Sequence, residues 1–422
     1  MGVTAVIGLQ WGDEGKGKIV DALSQDADIV VRCQGGANAG HTVLIDKKKH
    51  VLHLIPSGVL REDVICLIGN GVVVDLEVLD GEIEELEAAG IKTSGRLVVS
   101  RRAHVVLPIH KAAEAVHEEL RGKRRLDTTR RGIGPCYSDK AARLGIRVGD
   151  VLNTSTLGVK VETACRASRE LRQGGQSIDA DQVLEHCERY RPMLKEMAGD
   201  PLGVLQRSLS QGKKVLLEGS QGFLLDIDHG TYPFVTSCST GIHGLACGAG
   251  LAPSSIDEVV GVVKSYVTRV GEGPLPTMME EPYQSAVRER GQEYGATTGR
   301  PRRCGWLDLN ALRYSCGING VSSVAVTKLD TLSELEMLQV CVAYEYFGAE
   351  VETFPADIEF LADCLPRYID TPAWEDLKGI TSVTHLPRPA LAYIERIRTA
   401  AGCKVGLISV GPGRGELIAL DR

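Results

Sequence analysis

No two of the twelve cysteines stand at Cys-x-x-Cys spacing, so the paired-thiolate signature of a structural zinc site is missing. They are scattered from Cys33 to Cys403, which suits reduced thiols filling core positions of a cytoplasmic protein. No apolar run reaches the roughly 18 residues that a membrane-spanning helix needs. No secretory leader is visible either, because Met1–Gly8 runs directly into a strand-like segment. An excess of positive charge is also lacking. The net charge of −7 argues against general nucleic-acid binding by phosphate neutralisation, though not against a local basic pocket for a small anion. Internal repeats and low-complexity tracts are absent.

What is present is a long chain of ordinary globular composition. Its 422 residues exceed the roughly 250–300 that one core usually serves, so two domains or one large sheet with insertions are both allowed. Short β-branched runs alternate with helical stretches. Val3–Gly8, Asp28–Arg32, Val64–Ile68, Leu97–Ser100, Val215–Leu217, Val259–Val263, Val321–Thr327 and Lys404–Val410 read as strands. Their near-continuous apolar character suits a sheet covered on both faces. The expected class is α/β, a large mostly parallel central sheet flanked by helices, with helical and loop insertions. Asp75–Ala89 reads as a helix with Asp75 as N-cap and Gly90 ending it. Glu162–Gln211 is mostly helical in pattern and carries no motif.

Chemistry concentrates in glycine-rich segments that follow strands. Gly8 to Lys18, Gly-Leu-Gln-Trp-Gly-Asp-Glu-Gly-Lys-Gly-Lys, lies between a strand and the helix-like Ile19–Ser24. Glycines there bring backbone N–H groups close to phosphate, and the following helix N-terminus favours an anion. The pattern is not a P-loop: six residues separate Gly8 from Gly15, and Gly17 stands where a magnesium-binding hydroxyl would be. Gln34–Thr42 adds an amide and the imidazole of His41, able to orient a polar substrate or simply to line a turn.

Thr128–Pro135, with Asp139, Lys140 and Arg143 beyond, suits a monophosphate, or equally a solvated basic turn. Glu218–Gly222 and Asp226–Thr236 begin where a strand ends, the usual ligand position in a parallel sheet. Gly295–Arg303 packs three arginines around Pro301, a rigid cationic loop that can clamp a carboxylate, anchored by Trp306-Leu307. Thr327–Asp330 offers an aspartate for the N1–H and amine of guanine, and Ser409–Arg414 is another strand entering a glycine turn.

Trp11-Gly12-Asp13-Glu14-Gly15-Lys16-Gly17-Lys18 closely resembles the N-terminal signature of adenylosuccinate synthetases. Gly35–His41, Arg131–Pro135, Gln221, Asp226–Thr236, Thr297–Arg303, Lys328–Asp330 and Ser409–Arg414 follow in that family's order. The resemblance runs from Gly8 to Arg414 and implies one domain over 1–422, with a helical insertion near 151–211. It implies GTP-dependent ligation of L-aspartate to IMP through a 6-phosphoryl-IMP intermediate, in a cytoplasmic homodimer that binds neither nucleic acid nor membrane.

Residue by residue, it implies Asp13 as the base, with His41, Lys16 and Gln221 also catalytic. IMP would fall to Asn38, Thr129, Gln221, Thr236 and Arg300, with Arg143 reaching the neighbouring subunit's site. Aspartate would fall to Thr297, Thr298 and Arg300. GTP would fall to Gly12, Gly15, Lys16, Gly17, Gly40, Thr42, Arg302, Lys328, Asp330, Ser409, Gly411 and Gly413. Magnesium would be held by Asp13 and the carbonyl of Gly40.

The chain departs from the family pattern at Asp127, where glycine is usual, at Cys238–His243, and at Met278-Met279. A regulatory GTPase switch is the rival from another class, opposed by the missing hydroxyl after Lys16 and by more cationic loops than one nucleotide requires. A synthetase acting on a guanine monophosphate is the rival within the superfamily, opposed by the presence of Asp13.

Overall fold

The computed structural model describes residues 2–45, 48–122, 125–171, 179–295 and 299–420, without the side chains of 169–171. The first strands in chain order are β1 (Val3–Gly8), β2 (Ile29–Gly35), β3 (His41–Ile45), β4 (Lys48–Leu52) and β5 (Ile65–Asp75). There follow β6 (Leu97–Ser100), β7 (His104–Val106), β8 (Ala198–Gly199), β9 (Val215–Glu218) and β10 (Glu258–Lys264). The rest are β11 (Val267–Arg269), β12 (Arg303–Gly305), β13 (Leu307–Asp308), β14 (Ser323–Thr327), β15 (Leu338–Tyr346), β16 (Ala349–Val351), β17 (Leu365–Thr371), β18 (Lys404–Ser409) and β19 (Leu417–Ala419).

Among the described residues, eleven of these form one sheet in the order β19-β18-β14-β10-β1-β9-β2-β5-β6-β8, with β7 alongside β5. Its pairings are parallel except for β18 with β19, so the expected mostly parallel α/β sheet is what the chain builds. Both faces are covered. Ala5 and Ile7 of β1 join Val31 and Cys33 of β2 in one apolar cluster, while Val6 and Val30 point into the other. That is why these strands read as continuous apolar runs rather than as alternating ones.

Helix α1 (Lys16–Leu23) follows β1, and α2 (Leu76–Ala88) follows β5 with the Asp75 carboxylate accepting Val78 N–H at 3.5 Å. The helix over 75–89 is thus present with its expected cap. Next come α3 (Pro108–Arg121), α4 (Ile133–Ala142) and α5 (Val148–Leu152). Helices α6 (Thr154–Leu171), α7 (Ala180–Met197) and α8 (Pro201–Ser210) make the described part of the stretch read as helical mostly helix.

Two strands outgrow their sequence signals. β2 extends to Gly35 and β5 to Asp75, because their pairing resumes beyond a register shift between Arg32 and Gln34. A four-stranded sheet over residues 307–371 was not anticipated. Its middle strand β15 pairs antiparallel with β17, a long-range register that local pattern does not carry.

Candidate active site

Most of the motif loops emerge from the carboxyl ends of parallel strands, whereas Thr128–Pro135 follows α3 and enters α4, and Gly295–Arg303 leads into β12. Gly8 ends β1, Gly35 ends β2, Glu218 ends β9, Lys264 ends β10, Thr327 ends β14 and Ser409 ends β18. The first loop closes around its own carboxylate. Glu14 is fully buried, accepts the N–H groups of Gln10 and Gly12 at 3.0 Å each, and pairs with Lys16 at 2.6 Å. The two carboxylates therefore divide: Glu14 braces the turn, while Asp13, at φ 57°, stands partly exposed. The two lysines divide as well. Lys18 turns away to donate to Ser409 Oγ at 2.8 Å and to the Gly411 and Glu416 carbonyls at 2.6 and 2.9 Å. Burial pushes its pKa down to about 8, against the pull of Glu416 and Asp330.

Gly17 has a steric reason to replace the P-loop hydroxyl residue. A Cβ there would lie 3.1 Å from the Cβ of His41, so a side chain would press on the β3–β4 hairpin. The close approach seats His41 over α1. Its Nδ1 bonds Glu218 Oε1, while its buried Nε2 has no hydrogen-bond partner among the described residues. Glu218 also accepts Ser57 N–H at 2.8 Å and Ser57 Oγ–H at 3.0 Å, and Arg32 Nη1 lies 3.8 Å away. Burial holds the His41 pKa below its usual value, against the pull of Glu218, which raises it. Burial acts to raise Glu218, but His41, Arg32 and the Ser57 N–H overcome it and hold the carboxyl below its usual range.

Asn38 and Gln221 meet directly, Gln221 Nε2 donating to Asn38 Oδ1 at 3.1 Å, with Gln221 at φ 55°. The Cys238 thiol contacts both Thr236 and Tyr137, and the Tyr137 hydroxyl accepts the N–H of Gly35 at 2.9 Å. The Cys238–His243 departure is organised by Asp226, whose Oδ2 accepts Ser239 Oγ–H at 3.0 Å and the N–H groups of Thr240 and Gly241 at 2.5 and 3.2 Å. Of the methionine pair, Met279 is buried and Met278 half-exposed.

Thr129 rides on a segment that α3 holds by two carboxylates four residues apart. Glu118 accepts the N–H groups of Leu126, Asp127 and Thr128 at 3.3, 2.8 and 3.3 Å, and Glu114 accepts that of Gly132 at 2.5 Å. Arg143 caps α4 at φ 65° and is exposed.

The cationic loop divides its arginines. Arg302 Nε lies 2.8 Å from Asp13 Oδ2 and its Nη1 2.7 Å from Glu293 Oε2. Glu293 is buried and also takes Lys264 Nζ at 3.1 Å and Tyr266 O–H at 2.5 Å. Burial alone would raise it, yet Lys264, Lys328 and Arg302 bring its pKa down to about 2. Arg300 Nη1 lies 2.7 Å from Asp127 Oδ2, so Arg300 and Arg302 serve different partners. Thr297 and Thr298 lie outside the described residues.

Lys328, at φ 60°, donates to the Gly291 carbonyl at 2.6 Å. Burial raises the Asp330 pKa against Lys328 and Lys18, and its Oδ1 is buried without a hydrogen-bond partner among the described residues. Beyond Ser409, Gly413 N–H donates to Glu416 at 2.6 Å, and Arg414 grips buried Asp21 through two bonds of 2.7 and 2.6 Å. Gly12, Gly15, Gly40 and Thr42 complete the rim of the first two loops, with Thr42 exposed on β3.

Sequence reasoning missed Glu114, Glu118, Glu293, Lys264 and Asp21, the last of which pairs with Arg414 of the Ser409–Arg414 motif. None of the five belongs to a local motif. Glu218 was visible as the residue ending a strand, without its bond to His41.

A parallel sheet with anion-binding turns, carboxamides and arginines at one edge defines an α/β protein that handles nucleotides. The adenylosuccinate synthetase family model matches residues 5–418. Adenylosuccinate synthetase of Moorella thermoacetica is 48% identical, covering 100% of this chain and 99% of its own, and that of Caldicellulosiruptor bescii is 47% identical, covering 99% of each. The solved, fully ligated adenylosuccinate synthetase of Plasmodium falciparum superposes with a TM-score of 0.93 at 39% identity, covering all of both chains. A cyanophage S-2L succinoaminodeoxyadenylate synthetase, at 20% identity, shares the fold with a TM-score of 0.63, covering 100% of this chain and 96% of that one. The chain belongs to the adenylosuccinate synthetase family.

Proposed function

We propose that the chain ligates L-aspartate to IMP at the expense of GTP, through 6-phosphoryl-IMP, releasing adenylosuccinate, GDP and phosphate. The family match across residues 5–418 carries this reading. The site supplies groups suited to it. Asp13 stands partly exposed at the turn, available as the base that removes the IMP N1 proton and makes the 6-oxygen nucleophilic. Arg302 at 2.8 Å keeps that carboxylate oriented. His41, locked by Glu218, aims Nε2 at the transferring phosphoryl group, and Lys16 brings a cation to the same place. In-line transfer asks little covalent chemistry of the protein, so positioning and charge dominate. In the second step the aspartate amine displaces phosphate at C6.

Asn38, Gln221, Thr129 and Thr236 take IMP, and Thr297, Thr298 and Arg300 take aspartate. Arg300 also borders the IMP side through the Asp127 segment. Gly12, Gly15, Gly17, Gly40, Thr42, Arg302, Ser409, Gly411 and Gly413 serve GTP. The unpartnered Asp330 Oδ1 is an acceptor suited to guanine N–H donors, with Lys328 beside it.

Among the described residues, no group of three or more His, Cys, Asp or Glu gathers to hold a metal. Asp13 and the Gly40 carbonyl are instead a sparse set of hard oxygens, which fits magnesium completed by substrate phosphates and water. Bound there, magnesium would spread charge over the β- and γ-phosphates.

No helix among the described residues is long and apolar enough to cross a membrane, and ten of the twelve free thiols are buried, which supports a reduced cytoplasmic setting. We assign a homodimer in which Arg143 serves the neighbouring site.

Turnover with IMP, GTP, aspartate and magnesium, omitting each in turn, tests the reaction. Product formed without aspartate, or with ATP alone, would overturn it. Asp13→Ala should abolish turnover with folding largely spared, and activity above about a tenth of wild type refutes the base.

A further inference from the structure

Asp127 holds a backbone conformation that side-chain-bearing residues avoid. Its φ is 59°, in the left-handed region that glycine takes freely. The carboxylate carried on that backbone reaches out of its own segment to another loop. Oδ2 lies 2.7 Å from Arg300 Nη1, and the same nitrogen donates to the Asp127 carbonyl at 3.3 Å. The segment behind it is fixed, since Glu118 of α3 accepts the N–H of Asp127 at 2.8 Å and those of both neighbours at 3.3 Å. Both partners are partly exposed, Asp127 at 34% and Arg300 at 41%, so a small dicarboxylate in solution reaches the same guanidinium.

We propose that Asp127 is an internal competitor of the aspartate substrate: its carboxylate occupies Arg300, and L-aspartate must displace it to bind. The proposal rests on the reading of Arg300 as the residue that takes a substrate carboxylate. One carboxylate exchanges for another on the same planar cation, so the guanidinium stays paired while the displaced, partly exposed Asp127 carboxylate turns to water. The exchange is not free, because the internal carboxylate is tethered and needs no recruitment from solution. A half-exposed pair of this kind is weak, which limits its effect on the aspartate requirement to about 2- to 5-fold. Asp127 thus sets how much aspartate the enzyme needs without contacting any reacting atom.

Asp127→Asn removes the charge while keeping a side chain that tolerates positive φ. Asp127→Gly removes the whole side chain at a φ that suits glycine, which guards against a folding artefact. Both variants should lower the KM for aspartate by about 2- to 5-fold and tighten inhibition by succinate by the same factor. Succinate lacks the amine and cannot turn over, so its inhibition constant reads binding alone. A merely structural role would move the KM for IMP instead, through Thr129 on the same segment. Arg300→Leu is the companion variant, and combined with Asp127→Asn it should erase the effect of the latter.

An unchanged or raised aspartate KM in both Asp127 variants overturns the proposal. If Arg300→Leu raises that KM while the Asp127 variants do not lower it, the competitor alone is refuted. If Arg300→Leu leaves it unmoved, the assignment of Arg300 is wrong and the proposal falls with it.

Discussion

For a single residue, Glu218 carries the heaviest consequence. It is fully buried against His41, Ser57 and Arg32, so its loss strands a buried guanidinium and unlocks the imidazole. A Glu218→Gln variant should lose about 3 kcal/mol of stability, read by denaturant unfolding. The pH sign follows from the depressed Glu218 pKa. The stabilisation is present above the unfolded value near 4.5 and is lost as pH falls through the lower folded value. Catalysis shifts too. For Nε2 of His41 to donate to a phosphoryl oxygen, the ring must hold a second proton, and Glu218 is the group that raises its affinity for one. Removing Glu218 therefore moves the alkaline limb of the kcat profile toward acid and lowers kcat by about 10²-fold. An unmoved limb in a folded Glu218→Gln protein would leave the pair a packing contact only.

Among elements, α3 illustrates how a helix can govern a site it does not enter. Glu114 and Glu118 lie one turn apart on one face and gather four backbone N–H groups of the 126–132 segment. Glu118→Gln weakens three of these bonds and should raise the KM for IMP by about 10-fold, with kcat changed far less. Equal changes in both constants would contradict a positioning role. Elements like this also mark what the chain discloses locally. Val3–Gly8 and Leu97–Ser100 have the bounds expected from apolar runs stopped by glycine and serine, because burial on both faces selects those residues at each position. The glycine motifs were readable for a similar reason, since close approach admits little else. The carboxylates of α3, and Glu293 under Arg302, were not. A buried acceptor needs donors nearby in space, and nothing in a linear pattern records that Gly132 returns to Glu114 or that Arg302 reaches Glu293. Strand β15 was hidden likewise, its register set by partners on either side.

In the molecule as a whole, sheet order turns a dispersed sequence into one edge. β1 lies between β9 and β10, so segments more than two hundred residues apart deliver Gly8, Glu218 and Lys264 side by side. Asp13 is on that edge, in the turn after β1. Arg143 is elsewhere, exposed at the end of α4. If two chains share their sites, lesions at these two residues should complement one another. Arg143→Leu and Asp13→Ala homodimers, each assayed at low IMP, carry one lesion in every site. After mixing and exchange of subunits, half the dimers are mixed. In each mixed dimer, one site collects both lesions and the other has neither. Activity should then recover to about a quarter of the wild-type value at equal total protein. If Arg143 instead served the site of its own chain, every site would keep a lesion in any mixture and no activity would return. The recovery distinguishes a shared site from simple stabilisation by dimerisation, because stabilisation alone cannot separate two lesions into different sites.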